Sequence, residues 1–223
     1  MTSVRGVIFD VDGTLVDSND AHANAWVDAF REAGFDVAFA RIRDMIGMGG
    51  DKIIPDVTGW DAKSDEAKAL AARRGDIFNK RYLPTLKPFP DVRALFERMR
   101  SDGLELSIAT SAKPDELEKL LRIANVADLV SETASKKKGE RSKPDPDIVQ
   151  TAVGNSDFDT AQLVMVGDTP YDVEASGRAG VRSIAFRCGG WPDDRLRGAV
   201  QIYDGAWDML ARYDEFERAF EKK

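Results

Sequence analysis

Val7-Ile8-Phe9-Asp10-Val11-Asp12-Gly13-Thr14-Leu15 is the stretch on which the reading of this chain turns. Val4 through Phe9, apart from Arg5 and Gly6, form an apolar run with the length of a short buried strand, and a turn begins at Gly13. The run delivers two carboxylates, Asp10 and Asp12, to its own carboxyl end. In open α/β sheets that end faces the crevice where ligands bind, so an acidic pair there is better placed for chemistry than for packing. The two residues are two apart. While the backbone stays extended, both side chains lie on one side and can work on the same reacting group. The plainer alternative is an acidic turn after a strand.

Two carboxylates so close repel, and burying them unpaired is costly, so a cation is the natural remedy. All-oxygen ligation favours magnesium, which takes octahedral oxygen ligands at about 2.0–2.1 Å and commonly bridges protein carboxylates to a phosphate.

Outward from this stretch the pattern changes to helix. Ala21, Ala25, Ala29 and Ala33, with Trp26 and Phe30 alongside, recur at helical spacing until Gly34. Ile46, Ile53 and Ile54 around Gly47-Met48-Gly49-Gly50 predict two short helices joined by a flexible turn, with Pro55 stopping or bending the second. Asp61 to Tyr82 predicts a long helix whose inner side is Ala67, Leu70, Ala71, Ile77 and Phe78. Residues 17–84 therefore read as an all-α insertion, a candidate helical cap, and residues 1–16 with 85–223 as the core.

In the core, a helix with Val92, Leu95, Phe96 and Met99 leads to a strand from Leu104 to Thr110, then to a helix with Leu117, Leu120 and Leu121. A second apolar strand, Leu163 to Val166, precedes a helix over Tyr171 to Ala179 and shorter strands at Ser183 to Phe186 and Val200 to Tyr203. Such alternation predicts an α/β class fold, a Rossmann-like parallel sheet with helices on both faces.

Three later stations carry chemical groups. Ser107-Ile108-Ala109-Thr110-Ser111 is a strand ending in hydroxyls, Ser142-Lys143-Pro144-Asp145-Pro146-Asp147 sets a lysine between prolines and acids, and Val166-Gly167-Asp168-Thr169-Pro170-Tyr171-Asp172 follows a strand and opens a helix. Taken singly, Thr110 reads as a strand residue or cap, Lys143 as a surface lysine, and Asp168 as a helix N-cap. In order, with Asp-x-Asp-Gly-Thr-Leu-Val-Asp-Ser at the start, they resemble the four motifs of the haloacid dehalogenase superfamily, in its helical-cap phosphatase and β-phosphoglucomutase-like branch.

The resemblance implies a magnesium-dependent phosphatase that hydrolyses a small phosphorylated metabolite through an aspartyl phosphate. It makes Asp10 the nucleophile, Asp12 the acid and base, and Thr110 a hydrogen-bond donor to the phosphoryl group, with Ser111 beside it. Lys143 would meet both the nucleophile and the phosphoryl oxygens. Asp10, Asp12 through its carbonyl, and Asp168 would hold the metal, and Asp172 would support the metal shell and Lys143. In the cap, Gly47, Gly49 and Gly50 would leave a loop mobile while Asp51 and Lys52 contact the leaving group; an ordinary glycine-rich connection reads equally well. His22, at the hinge where relatives often carry His, is a candidate for Asp10 or substrate contact, or a surface or capping residue.

Dehalogenation is disfavoured, because superfamily dehalogenases usually lack the second carboxylate that Asp12 supplies. His22 and Trp26 resemble β-phosphoglucomutase, which keeps a sugar phosphomutase as the alternative, whereas Thr110-Ser111-Ala112-Lys113-Pro114 looks more like the phosphoglycolate-phosphatase pattern. An inactive phosphate-binding or scaffold protein is the third reading, and the intact Asp10, Asp12, Lys143 and Asp168 argue against it.

The length of 223 residues suits one sizeable domain or a core with a smaller companion, and 43% hydrophobic with 32% charged residues is a soluble globular composition. A net charge of -7 disfavours nucleic acid as a partner, although Lys136, Lys137, Lys138, Arg141 and Lys143 form a local basic cluster, read mostly as a solvated loop. Cys188 is the only cysteine, which excludes an intrachain disulfide and points to a reducing cytoplasm. No membrane span or signal peptide is expected, and the assembly is expected to be a monomer or homodimer.

Overall fold

Gly6–Phe9 forms strand β1, in which Val7, Ile8 and Phe9 are fully buried, each worth about 1.5–3 kcal/mol of apolar burial. The computed structural model describes residues 4–135 and 141–220. Beyond β1, the described residues form α1 (Asn19–Glu32), α2 (Phe39–Arg43), α3 (Gly50–Thr58), α4 (Asp65–Ile77), α5 (Val92–Ser101), β2 (Glu105–Thr110) and α6 (Pro114–Ala124). Then come β3 (Glu132–Ser135), α7 (Asp147–Gly154), β4 (Leu163–Gly167), α8 (Pro170–Arg178), β5 (Arg182–Phe186), β6 (Gln201–Tyr203), α9 (Ala206–Ala211) and α10 (Tyr213–Phe220). The chain divides into two compact units, Met1–Asp17 with Lys87–Lys223, and Ser18–Leu86.

The first unit is built on a six-stranded sheet of order β3-β2-β1-β4-β5-β6, parallel throughout. Side chains alternate across it. Ile8 faces a layer formed by Ile148, Val149 and Ala152 of α7 and Ala175 of α8, with Ala109 and Met165 from the flanking strands. Phe9 faces the other way and meets Phe96 of α5, ring centroids 4.5 Å apart. Helices thus cover both faces, and the architecture is the Rossmann-like one that the alternation predicts. Phe9 lies opposite Ile108 of β2 and Val166 of β4. The chain runs from β1 outward to β3, then crosses back to β4, so the strand order reverses beside β1. Ligands bind outside the carboxyl ends of strands at such a reversal.

β3 has no counterpart in the predicted elements. It is short, three of its four residues are polar, and it pairs with β2 alone at the sheet edge, so apolar periodicity does not mark it. At the opposite edge Val200 is half exposed at 49%, and its amide donates to Ser183 O just before β6 starts at Gln201.

The second unit is all helical among its described elements. α1 buries Ala25, Trp26, Ala29 and Phe30, and the chain leaves it through Gly34 at φ +85°. Pro55 does not stop α3, which runs on to Thr58 and closes at Gly59. The long helix predicted from Asp61 begins later. The Ser64 hydroxyl accepts from Ala67 N–H at 3.1 Å and caps α4, while Asp61 folds its own turn by accepting from Lys63 N–H at 2.7 Å. Beyond Ile77 the coil widens to a π-helix over Phe78–Tyr82 and tightens to a 3₁₀ turn over Leu83–Thr85. At the junction the Asn79 side-chain amide donates to Gly75 O at 2.9 Å. Of the predicted inner side, Ala67, Leu70, Ile77 and Phe78 are buried and Ala71 is half-buried.

Candidate active site

The turn after β1 sets the first carboxylates. Val11 O accepts from the amides of Leu15 at 2.8 Å and Val16 at 3.1 Å, and Gly13 donates to Val16 O at 2.8 Å. Gly13 sits at φ +77°, a conformation that a residue with a Cβ rarely adopts. Asp10 is held at the strand end by its amide, which donates to Val166 O of β4 at 2.9 Å.

Lys143 is 2% exposed, and its ammonium joins three elements. It donates to Asp10 Oδ1 at 2.5 Å and to Ala109 O of β2 at 3.2 Å, and it pairs with Asp172 Oδ1 of α8 at 2.7 Å. Asp168, fully buried after β4, accepts from the Thr14 hydroxyl at 2.9 Å. Carboxylate oxygens of Asp10, Asp168 and Asp172 all lie within 4.8 Å of one another. Asp172 also closes a capping box at the start of α8: its Oδ2 accepts from Thr169 N–H at 3.0 Å and from the Thr169 hydroxyl at 2.6 Å. Thr169 is therefore the N-cap, which leaves Asp168 without the capping role that its position also suggested.

The electrostatics follow from burial. Asp10 is pushed up to about 7, mainly by desolvation and further by Asp172 and Asp12, against the pull of Lys143. Burial alone would depress the Lys143 ammonium, but Asp10 and Asp172 outweigh it and hold it above its ordinary value. Three buried carboxylates against one ammonium leave an excess of negative charge in a dry place, which a divalent cation balances. The donors are all oxygens, the set that suits a hard cation. The site fits the metal that the sequence called for.

Thr110, 1% exposed at the end of β2, accepts from Ala112 N–H at 3.1 Å. Next to it, the buried Ser111 hydroxyl makes no hydrogen bond among the described residues. Asp12 is half-buried, and its charge acts on Asp10. His22, Gly49 and Lys52 belong to the second unit. There His22 is buried on α1, not at a helix surface; its ring stacks on Phe78 with centroids 4.0 Å apart and its Nδ1 accepts from Arg74. Gly49 is the N-cap of α3, and Lys52 lies in its first turn. The guanidinium of Arg74 lies 5.4 Å from the Trp26 ring centroid, and a Cβ on Gly50 would come 3.0 Å from that ring, so α1, α3 and α4 converge on Trp26.

Within the basic cluster, Lys136, Lys137 and Lys138 lie outside the described residues. Arg141 is an exposed loop charge paired with Asp145 at 3.2 Å and Asp147 at 3.3 Å, as a solvated loop would have it, whereas Lys143 is buried and is no part of such a surface.

Sequence reasoning passed over Thr14 and Arg74. Thr14 stands inside the first motif, where its signal was available; Arg74 sits in a run of charged residues on a helix and carries none. No helix among the described residues is long and apolar enough to cross a membrane.

A phosphoglycolate phosphatase from Yersinia pseudotuberculosis is 28% identical over 192 residues, covering 84% of this chain and 82% of that protein. A hydrolase from Pseudomonas syringae superposes with a TM-score of 0.85 at 26% identity, over 95% of this chain and 98% of that one. CbbY from Rhodobacter sphaeroides, solved in complex with phosphate, shares the fold at a TM-score of 0.77 and 22% identity, over 95% of this chain and 99% of that one. The pattern that defines haloacid dehalogenase-like hydrolases matches residues 7–186, spanning the turn after β1, Lys143, Asp168 and β5. The chain belongs to the haloacid dehalogenase-like hydrolase family.

Proposed function

We propose that this hydrolase is a phosphatase, acting on a small phosphorylated metabolite through a phosphoryl group carried on Asp10, with Mg²⁺ bound at the carboxylate cluster. The observation that carries the reading is the buried ammonium of Lys143 between Asp10 and Asp172, with Asp168 in the same cluster. That arrangement supports a nucleophile held still, with positive charge beside the place where phosphoryl oxygens gather.

Asp10 attacks phosphorus in line and the alcohol leaves. Asp12 gives that alcohol its proton and then takes one from the water that cleaves the aspartyl phosphate. The half-buried position of Asp12 supports the role, since a proton carrier needs access to water. Lys143 neutralises charge on Asp10 and the phosphoryl oxygens, and the Thr110 and Ser111 hydroxyls donate to those phosphoryl oxygens from the end of β2. Asp10, Asp168 and the carbonyl of Asp12 would hold the cation, with Asp172 supporting them through Lys143. When bound, the ion supplies Lewis-acid stabilisation of the transferring phosphoryl charge. Phosphate monoester hydrolysis requires up to ~10²¹-fold acceleration, about 29 kcal/mol, so nucleophile, lysine, hydroxyls and cation must act together.

The phosphoglycolate phosphatase relative supports a small anionic phosphate ester as substrate. His22, Gly49 and Lys52 are the residues we assign to choice of leaving group. A lone cysteine, its thiol bonded to Gly13 O, suits a reducing cytoplasm. The test is a panel of 2-phosphoglycolate, sugar phosphates, nucleotides and pyrophosphate with Mg²⁺, measuring released phosphate and isomerised sugar phosphate separately. Phosphate release with no isomer is expected. Isomerisation without release would replace the phosphatase reading with the phosphomutase one.

A further inference from the structure

We infer that Gly189 is a positioning residue for Asp168, and that the side-chain-free backbone of the loop after β5 is the wall that fixes this carboxylate. The inference rests on the reading of Asp168 as a cation ligand. A Cβ built on Gly189 would lie 1.8 Å from Asp168 Oδ2, 2.4 Å from its Cγ and 2.5 Å from its Cβ. These are distances at which nothing but hydrogen fits. Oδ1, on the other side of the same carboxylate, accepts from the Thr14 hydroxyl at 2.9 Å. One oxygen is therefore tethered and the other abuts main chain.

A glycine in a loop is usually there for a left-handed backbone, and this one is not. The left-handed residue of the loop is Gly190, at φ +90°, while Gly189 has an ordinary φ. What Gly189 contributes is space.

The loop also has little freedom to retreat. Arg187 pairs with Asp193 at 2.6 Å and with Asp204 at 2.7 Å, and Gly190 N–H returns to Arg187 O at 2.8 Å. The Cys188 thiol donates to Gly13 O at 3.3 Å, and burial together with Asp168 pushes its ionisation up, so it stays a thiol able to donate. Trp191, just beyond, meets Tyr171 of α8 edge to face at 6.0 Å. With the loop tied at these points, an added methyl displaces the carboxylate instead, out of the cluster it shares with Asp10 and Asp172. Gly167 stands in the same relation to Asp172, whose Cβ and Cγ a side chain there would meet at 2.5 Å.

The probe is Mn²⁺ binding, followed by the spectroscopic signal of the free ion, on wild type, Gly189→Ala and Gly177→Ala. Gly177 is an exposed α8 glycine with nothing within 4 Å of an added Cβ, so it controls for loss of a glycine alone. Wild type should bind, Gly177→Ala should match it within twofold, and Gly189→Ala should bind at least tenfold more weakly. Equal binding by a folded Gly189→Ala overturns the inference and leaves the cation reading standing; no binding by wild type removes both. Should Gly189→Ala not fold, the substitution is placed in Asp168→Gly, where both the carboxylate and the Cβ that it strikes are gone. A folded double variant supports the inference, and one as unfolded as the single overturns it.

Discussion

Replacing Lys143 by Met removes the ammonium while keeping a stem of similar length in place, and so isolates the charge at the centre of the site. Its Nζ lies 2.5 Å from Asp10 and 2.7 Å from Asp172, at 2% residue exposure. Breaking a buried pair of this kind by removing one partner costs about 3–5 kcal/mol, because the partner's charge stays behind uncompensated. With a urea slope near ~3 kcal/mol/M, the midpoint should fall by about 1–2 M.

The loss should depend on pH, and the sign follows from Asp10. In the metal-free protein its carboxyl is raised from 3.8 to about 7, so the folded state holds that proton more tightly than the unfolded state. Between these values a rise in pH works against the folded state; below 3.8 the effect vanishes, and above about 7 it is complete. Taking away Lys143, which lowers the Asp10 value, extends that window upward. The deficit of Lys143→Met should therefore be full near pH 8.5 and much smaller near pH 5, where Asp10 carries its proton. Urea melts of wild type and variant in excess chelator at both pH values measure it. Equal deficits at the two pH values, a larger one in acid, or none at either would refute the charge argument.

Excess chelator should abolish phosphate release and Mg²⁺ should restore it; full turnover in chelator would reject the metal assignment. Thr14→Val removes the hydroxyl that Asp168 Oδ1 accepts, a hydrogen bond to a charged group worth roughly 1.5–3 kcal/mol, so Mn²⁺ affinity should fall about tenfold or more, read by direct titration.

What was legible in the sequence follows from how local its physical cause is. β1, β2, β4 and β5 announce themselves because buried central strands are largely apolar, and behind β1 and β4 the carboxylates Asp10 and Asp168 follow at once. β3 is an edge strand with one buried apolar residue, Ala134, so its identity comes from pairing with β2 and not from its own letters. The start of α4 was written locally in Ser64, whereas its passage into the π-helix over Phe78–Tyr82 was not, since Tyr82 is fixed by bonding Asp28 far away in sequence. Lys143 is the sharpest case. In a run with Arg141 and three lysines it has the look of a solvated charge, and only carboxylates brought in by β1 and α8 make its burial possible. Thr14 touches Asp168 from 154 residues away and Gly189 approaches it from a later loop, which is why chemical type alone did not single them out.

The claim on which the account turns is that Asp10 carries the phosphoryl group. Rapid quench of wild type with a labelled substrate from the panel, followed by proteolysis and mass analysis, should place an acid-stable, alkali-labile phosphoryl group on the peptide containing Asp10, and Asp10→Asn should neither carry it nor turn over. A phosphoryl group on another residue, or turnover by folded Asp10→Asn within tenfold of wild type, would contradict it.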